Sequence, residues 1–576
     1  MNSILRIFAA ALVLAASHAS AADRPNILLI CIDDLRTQLG CYGDKVVKSP
    51  NIDRLSEQGV IFDRCYVQVA VCNPSRASMM TGLRPATLNC YTLPYHFRET
   101  KPDAVTMPQY LRSQGYHVEG YGKIFHNPWQ DPRSWDRPHQ FGSGDYRHYD
   151  AKQKAFIEKV RESLPGDDWR KSNLRGPATN APDITDEQHP DGAMTSRVIE
   201  RIRKLKDGDK PFFVAAGLIL PHLPWCPPKK YWDMYDREKL PLASNPDLPK
   251  GVPPVELGTN YEFSHYADLI DFPTPTGGRV SEKEARRLIH GYLASVSFAD
   301  AQVGRLLGAL DEMGLAEDTV VVLWSDHGYK LGEHGGWGKM TNLELDTRVP
   351  FIIRDPKAKA NGKRCGRLVE TVDLFPTLCE LAGVKVPGFL EGKSAAALLE
   401  DPAADHIGAA FSQYVYRPLI GNSIRTAEWR YTEWREMKDG SVKERVLYDH
   451  RRDDSEDVNV ADQHPEIIAK LQAELNKTLP PSPVSLRAKV HSKAGGPKTS
   501  LEFVNQHDGV VRLTWIDPSG RRGRHWDIGK DGVQPMGSFV GHVFVAESLD
   551  GHYFETITVK KLQKDGPAVI ELGKTD

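Results

Sequence analysis

Three short runs along the chain are apolar without interruption and stop at polar residues: NILLICID at 26–33, PFFVAAGLIL at 211–220 and TVVVLWSD at 319–326. Runs of this length without alternation predict strands buried on both faces of a sheet. Between the last two the period becomes helical. LIHGYLASVSFADAQVGRLLGALDEM at 288–313 keeps apolar residues at helix spacing, with Ser281 and Glu284 reading as a capping box and Gly314 as the stop. Strands alternating with helices imply an α/β domain on a mostly parallel sheet with helices on both faces. In such sheets ligands gather beyond the carboxyl ends of the strands. Asp33-Asp34 and Asp326-His327 both fall at such ends, so two distant segments deliver acids to one edge.

After Ala404 the pattern shortens. AAFSQYVYR (409–417), SIRTAEWRYTEW (423–434) and ERVLYDH (444–450) predict short antiparallel strands, and PEIIAKLQAELNKTL (465–479) predicts a closing amphipathic helix. The expectation is an α/β domain over 22–404 followed by an α+β subdomain over 405–480. Residues 481–498 carry prolines, glycines and basic residues without an acid. They read as a solvated linker, with heparin-like binding as the alternative. SLEFVNQ, VVRLTWID, HVFVAES and HYFETITVKK then predict a small β-sandwich module over 499–576.

Composition adds bounds. A chain of 576 residues exceeds one ordinary core. A net charge of -2 excludes a global basic footprint for nucleic acid. Residues 1–21, MNSILRIFAAALVLAASHASA, read as a cleaved signal peptide, with Arg6 as the positive flank and Ala19-Ser20-Ala21 as the processing site. Its apolar run is too short to span a bilayer and no later stretch does so. The expectation is an exported protein, periplasmic or secreted, without a membrane anchor. The eight cysteines show no zinc spacing, and Cys31, inside an apolar strand, reads as a buried free thiol.

One stretch stands apart: CNPSRASMMTG at 72–82. Pro74 suits the first position of a helix, whose free N–H groups would favour an anion beside Cys72. Cys-x-Pro-Ser/Ala-Arg resembles the hallmark of the type I sulfatases. The resemblance covers about Asp23 to Leu479 and is closest to iduronate-2-sulfatase-like enzymes. DDLRTQLGCYGD, SPNIDRLSEQGVIF, AVCNPSRAS, GYGKIFH, LPHLPW and SDHGYKLGEHGGWGK carry it. Leu83 departs from the usual TGR, although Arg84 follows.

The resemblance implies an alkaline-phosphatase-like fold and hydrolysis of a sulfate monoester, from a sulfated polysaccharide or oligosaccharide. It implies oxidation of Cys72 to Cα-formylglycine by a maturation enzyme. It further implies one Ca²⁺ ion held by Asp33, Asp34, Asp326 and His327, with residue 72 completing the set. Lys123 and Lys339 are implied at the sulfate oxygens, and Arg76 at the formylglycine. His126 is the implied base, and His222 the implied proton donor to the leaving alcohol. A phosphonate monoester or phosphodiester hydrolase of the same fold is one alternative. An unmatured, non-catalytic binding protein is the other. Residues 89–99 and 332–342 are expected to line the pocket, with Tyr95, His96, Glu333 and His334 as either sugar contacts or ordinary loop polars.

SLEFVNQHDGVVRLTWIDPSGRR and MGSFVGHVFVAES resemble the β domain of the von Hippel–Lindau tumour suppressor over about Thr499 to Val559. That implies a peptide or glycan ligand near Ser538, His542 and Trp526, although Phe544 stands where that family has tryptophan. The alternative is a sandwich whose alternating residues only pack.

Overall fold

A computed structural model describes residues 24–576 except 95, 128–129, 141–144, 480–496, 508, 517–521, 549–552, 560–567 and 573–576. The proposed signal peptide, nearly all of the linker and Tyr95 lie outside the described residues.

The main sheet has eight strands. Seven are β1 (Asn26–Ile32), β2 (Val60–Tyr66), β3 (His117–Gly122), β4 (Phe212–Leu218), β5 (Thr319–Ser325), β6 (Phe351–Arg354) and β7 (Arg364–Glu370). The eighth is a two-residue strand at Arg348–Val349. The order is β7-β2-β6-β5-β1-β4-β3, and the eighth strand pairs with β2. β5, β1, β4 and β3 run parallel, whereas β6 is antiparallel to both β5 and β2. The sheet is thus mixed and mostly parallel. β1 is central and its register seats Ile32 opposite Leu218 and Ser325, so three strands end together.

Alternate residues of β1 serve two cores. Ile27, Leu29 and Cys31 face a cluster with Met79, Met80, Leu111, Phe375 and Leu378. Leu28, Ile30 and Ile32 face Ile52, Val198, Ile202 and the long helix 282–312. Helices therefore cover both faces, which is why the strands read as unbroken apolar runs. The helices used below are α1 (Pro50–Gln58), α2 (Cys72–Thr81), α3 (Pro190–Leu205), α4 (Glu282–Glu312) and α5 (Pro465–Thr478). The capping box expected at Ser281 is half made. Ser281 Oγ accepts the Glu284 N–H at 3.3 Å, but the Glu284 carboxylate turns to Arg287 at 3.0 Å.

The region after 404 holds four antiparallel strands: β8 (Ala410–Tyr416), β9 (Leu419–Arg425), β10 (Trp429–Glu436) and β11 (Val442–Asp449). The stretch 423–434, expected as one strand, is the end of β9, a turn and the start of β10. Thr426 makes that turn by accepting the Trp429 N–H at 3.1 Å through its hydroxyl. α5 packs Leu471 and Leu475 on Ile424, Tyr431 and Leu447. The opposite side packs Tyr414 and Trp434 on Val69 and Val71, directly ahead of α2.

The last region adds β12 (Lys498–Asn505), β13 (Val511–Ile516), β14 (Arg522–Ile528), β15 (Val533–Phe539), β16 (Val543–Ser548), β17 (Tyr553–Thr558) and β18 (Ala568–Leu572). They form one three-stranded and one four-stranded sheet sharing a core of Leu501, Phe503, Leu513, Phe544 and Leu572. The sequence reading missed β14, β15 and β18. β14 is polar along most of its length and β15 is broken by Pro535 and Gly537, so tertiary pairing makes them strands.

Candidate functional site

The site forms where β1, β4 and β5 end. α2 enters it with Val71 as an extended N-cap and Cys72 as its first residue. Pro74 is therefore third, not first. The amide of the third position is also among those a helix start leaves unpaired, so proline is tolerated there. All ten residues of α2 are buried, and its polar side chains find internal partners, except that Ser78 Oγ has none among the described residues. Ser75 Oγ donates to the Asp326 carbonyl at 2.5 Å and Thr81 Oγ1 to that of Ala77 at 2.7 Å.

Asp33, Asp34, Cys72 and His327 bring ligand atoms within 4.8 Å of one another. Cys72 Sγ lies 3.1 Å from His327 Nε2. The other ring nitrogen, Nδ1, is 3.1 Å from the Gly328 carbonyl. A proton on Nδ1 for that contact leaves the Nε2 lone pair facing the cluster. Asp326 joins through the Asp34 amide at 3.2 Å and sits 3.6 Å from His327 Nε2. Asp34 has a positive φ of 60°, a conformation that aspartate tolerates better than most residues.

Arg76 is fully buried and ties the edge together. Its Nε donates to Asp326 at 2.8 Å, Nη2 to Asp33 at 3.1 Å, and Nη1 to the carbonyls of Lys123 and Ile124. Lys123 pairs with Asp33, and Lys339 Nζ is 2.8 Å from both oxygens of Asp34. Lys123 reaches this place because the chain crosses the end of β4 closely. A Cβ on Gly122 would fall 2.0 Å from the Gly217 carbonyl oxygen, and one on Gly217 would fall 2.4 Å from the Lys123 backbone.

Burial opposes ionisation throughout the site, and the fixed partners decide the result. For Asp33, Lys123 and Arg76 outweigh burial and hold the carboxyl well below the usual range. For Asp34, burial wins over Lys339, and the neighbouring Asp33 adds to it, pushing the carboxyl up to about 7. Burial, then Lys123, pushes His126 well below an ordinary imidazole; burial, then Lys339 and Lys123, takes His222 down to about 4. Burial likewise drives the Cys72 thiol well above its ordinary value despite both lysines. As a plain thiol it is a poor nucleophile.

These residues fit a divalent cation. Three carboxylates and one imidazole converge, and an undercompensated Asp34 marks where further positive charge is wanted. Oxygen donors of this kind suit a hard ion.

His126 borders the cluster with a buried Nδ1 that has no hydrogen-bond partner among the described residues. Nδ1 of His222 is 2.6 Å from the Leu223 carbonyl, and Nε2 lies 3.3 Å from Glu262. Glu262 also lies 3.1 Å from Lys339. The sequence reading missed Glu262; it sits in YEFSHYADL, which ends no strand and matches no motif. His96, Glu333 and His334 have internal partners. His96 contacts the Gln130 carbonyl at 3.1 Å, Glu333 accepts from Arg36 at 2.8 Å and His334 meets Asp457 at 2.9 Å. In the last region Ser538 Oγ and His542 Nδ1 lie 3.1 Å apart. Trp526 instead packs on Phe544 at 6.2 Å, and the indole beside His542 is Trp515 at 5.5 Å.

A family model described as sulfatase matches residues 25–384. The chain belongs to the sulfatase family. It is accordingly a sulfuric ester hydrolase with an alkaline-phosphatase-like fold. A second model, N-sulphoglucosamine sulphohydrolase, C-terminal, matches residues 332–480. Among curated relatives, iduronate 2-sulfatase of Mus musculus is 35% identical over 75% of this chain and 88% of the relative. The Homo sapiens protein is 34% identical over 72% and 86%. A solved structure in complex with D-glucosamine-2-N,6-O-disulfate aligns with a TM-score of 0.63 at 23% identity, over 79% of this chain and 97% of the other. A phosphonate monoester hydrolase of Agrobacterium radiobacter aligns at 0.61 and 22% identity, over 79% and 96%; at these identities the likeness is one of fold. Among the described residues of this sulfatase, no helix is long and apolar enough to cross a membrane.

Proposed function

We propose that this sulfatase removes a sulfate monoester from a sulfated glycan, with iduronate-2-sulfate-type saccharides as the first class to test. The observation that carries the reading is the convergence of residue 72 with Asp33, Asp34 and His327 within 4.8 Å, under the buried cations Arg76, Lys123 and Lys339. Asp33, Asp34, Asp326 and His327 would hold one Ca²⁺ with residue 72. When bound, the ion polarises the ester sulfate and stabilises negative charge on oxygen. Matured to formylglycine, residue 72 would supply an aldehyde hydrate, with one hydroxyl as the nucleophile toward sulfur and a second whose ionisation would allow release of sulfate by C–O cleavage.

The chain's own residues supply the remainder. Lys123 and Lys339 neutralise sulfate oxygens in a site too buried for water to do so. Arg76 locks Asp33 and Asp326 in register. Neutral His126 is free to take a proton. A sulfate ester seated beside His222 raises the basicity of that ring, as Glu262 does, so it can protonate the leaving alcohol. The export signal, the linker over 481–498 and a ligand for the Ser538–His542 pocket belong to the same proposal. A cavity of about 530 Å³ beside Ser538, lined also by Lys498, Thr499 and Phe539 but not by His542, supports that part of the reading.

The test has two arms. Mass spectrometry of the Cys72 peptide from the native host should find the aldehyde, and sulfate release should appear on a panel of sulfated glycans. A persisting thiol with no sulfate release would favour the non-catalytic binding protein. Faster turnover of aryl phosphonate or phosphodiester than of aryl sulfate would favour the alternative hydrolase.

A further inference from the structure

Glu262 is a partly buried carboxylate at the site that lies outside the set that would hold the ion. Its two oxygens lie 3.3 Å from His222 Nε2 and 3.1 Å from Lys339 Nζ. Both partners border the space that must take the anionic ester. Lys339 stands between Glu262 and Asp34, 2.8 Å from the latter. A second metal ion among Asp34, His222 and Glu262 would have to displace that ammonium, so the cluster is not read as a further metal site. Lys339, then His222 and Arg175, overcome burial and keep the Glu262 carboxyl below the usual range.

The charge around the pocket can be counted. Asp33, Asp34, Asp326 and Glu262 give four negative charges, and Arg76, Lys123 and Lys339 give three positive ones. With one divalent ion and neutral imidazoles, one net positive charge remains. Without Glu262 there would be two. Arg175 lies 4.0 Å behind Glu262, but its side chain is 42% exposed and solvent screens it. A sulfate monoester carries one negative charge. A phosphate monoester of the same shape carries close to two above pH 7.

Resting on the sulfatase reading, we propose that Glu262 is the charge filter of this pocket, matching it to a monoanionic ester and repelling a dianionic phosphate monoester. Two tetrahedral esters of equal size cannot be told apart by shape. A fixed carboxylate beside the anion separates them by charge at little penalty to the monoanion, because discrimination needs a repulsive element as well as attractive ones. The same carboxylate holds Lys339 toward the pocket, which ties the filter to a group that binds the ester.

The experiment compares the full-length enzyme with Glu262→Gln and Glu262→Asp. At pH 8, kcat/KM is measured for 4-nitrophenyl sulfate, 4-nitrophenyl phenylphosphonate and 4-nitrophenyl phosphate, which carry one, one and two negative charges. The expected result for Glu262→Gln is a phosphate-to-sulfate ratio raised roughly tenfold or more, with the phosphonate-to-sulfate ratio within about threefold of the parent. Glu262→Asp should keep the parent ratios. Calorimetric titration with inorganic phosphate gives a readout independent of turnover. Its Kd at pH 8 should tighten roughly tenfold in Glu262→Gln and change much less at pH 6, where the monoanion prevails. A proportional fall on all three substrates with unchanged phosphate Kd would make Glu262 a positioning residue only and overturn the filter. Absence of sulfate turnover in the parent would count against the sulfatase reading, and the phosphate titration would still decide the filter.

Discussion

Asp34 shows how a single residue is bound by several demands at once. Its backbone is left-handed, its amide donates to Asp326 and its carboxylate faces both Lys339 and His327. Such strain persists only where surrounding structure over-determines it. Residue 72 is the counterpart, a thiol too buried to ionise. Cys72→Ala should therefore reduce sulfate release to background while the far-ultraviolet circular dichroism and thermal midpoint stay near the parent values; sulfate release at the parent rate would remove residue 72 from the chemistry. Away from the site, Glu256 is buried with one oxygen on Trp434 Nε1 and the other without a hydrogen-bond partner among the described residues. Burial, helped by Glu456, pushes its carboxyl up to about 7. The folded state thus holds this proton more tightly than the unfolded chain. The resulting stability is complete below about pH 4.5 and lost as pH rises through 7, amounting to about 3 kcal/mol. Glu256→Gln keeps an acceptor for Trp434 and removes the penalty. Its urea midpoint should exceed the parent's at pH 8 and converge with it at pH 4.5; a gap that does not depend on pH would contradict this.

At the scale of elements, helix ends are where local reading and structure diverge. α1 begins after Ser49, whose side chain makes no cap hydrogen bond. Asp300, near the middle of α4, supplies the cap instead, accepting the amides of Asn51 at 2.9 Å and Ile52 at 2.8 Å. A cap from a residue far along the chain has no signature near Ser49. Asp300→Ala should cost about 1–2 kcal/mol in chemical denaturation, and a loss under a few tenths would show that Ser49 or water can substitute. The strands were easier to read. β1, β4 and β5 announce themselves because burial on both faces leaves only apolar residues. β14 and β15 of the last region alternate weakly and could not be seen before their neighbours were known.

For the whole molecule, the sheet β8–β11 cannot be peeled away without consequence. Trp434 and Tyr414 pack on Val69 and Val71, and Ser412 Oγ donates to the Val67 carbonyl at 2.6 Å, just before the helix that carries Cys72. Arg430 adds a buried bridge, holding Glu344 and Glu456 at 2.6 Å each, and breaking such a pair is strongly destabilising. The region from β12 onward has a core of its own. A chain ending at 480 should therefore retain 4-nitrophenyl sulfate turnover within about twofold, as expected of a self-contained unit, whereas one ending at 404 should fail to accumulate as soluble protein. Activity in the shorter chain, or its loss in the longer one, would refute this division.

The chain's own pattern was enough to predict the apolar strands, the polar residues at their ends and the cysteine–proline–arginine start of α2. Those features are local: hydrophobic period and backbone preference act over a few residues and leave their mark there. Tertiary structure alone decided that Arg76 would clamp two aspartates, that both histidines would be held neutral, that Asp300 would cap a distant helix and that Glu262 would join the site. Each of these depends on charge and distance between residues well separated along the chain, from 43 positions for Arg76 and Asp33 to 250 for Arg76 and Asp326, where Coulomb attraction and burial act through space and leave no trace in the order of the sequence.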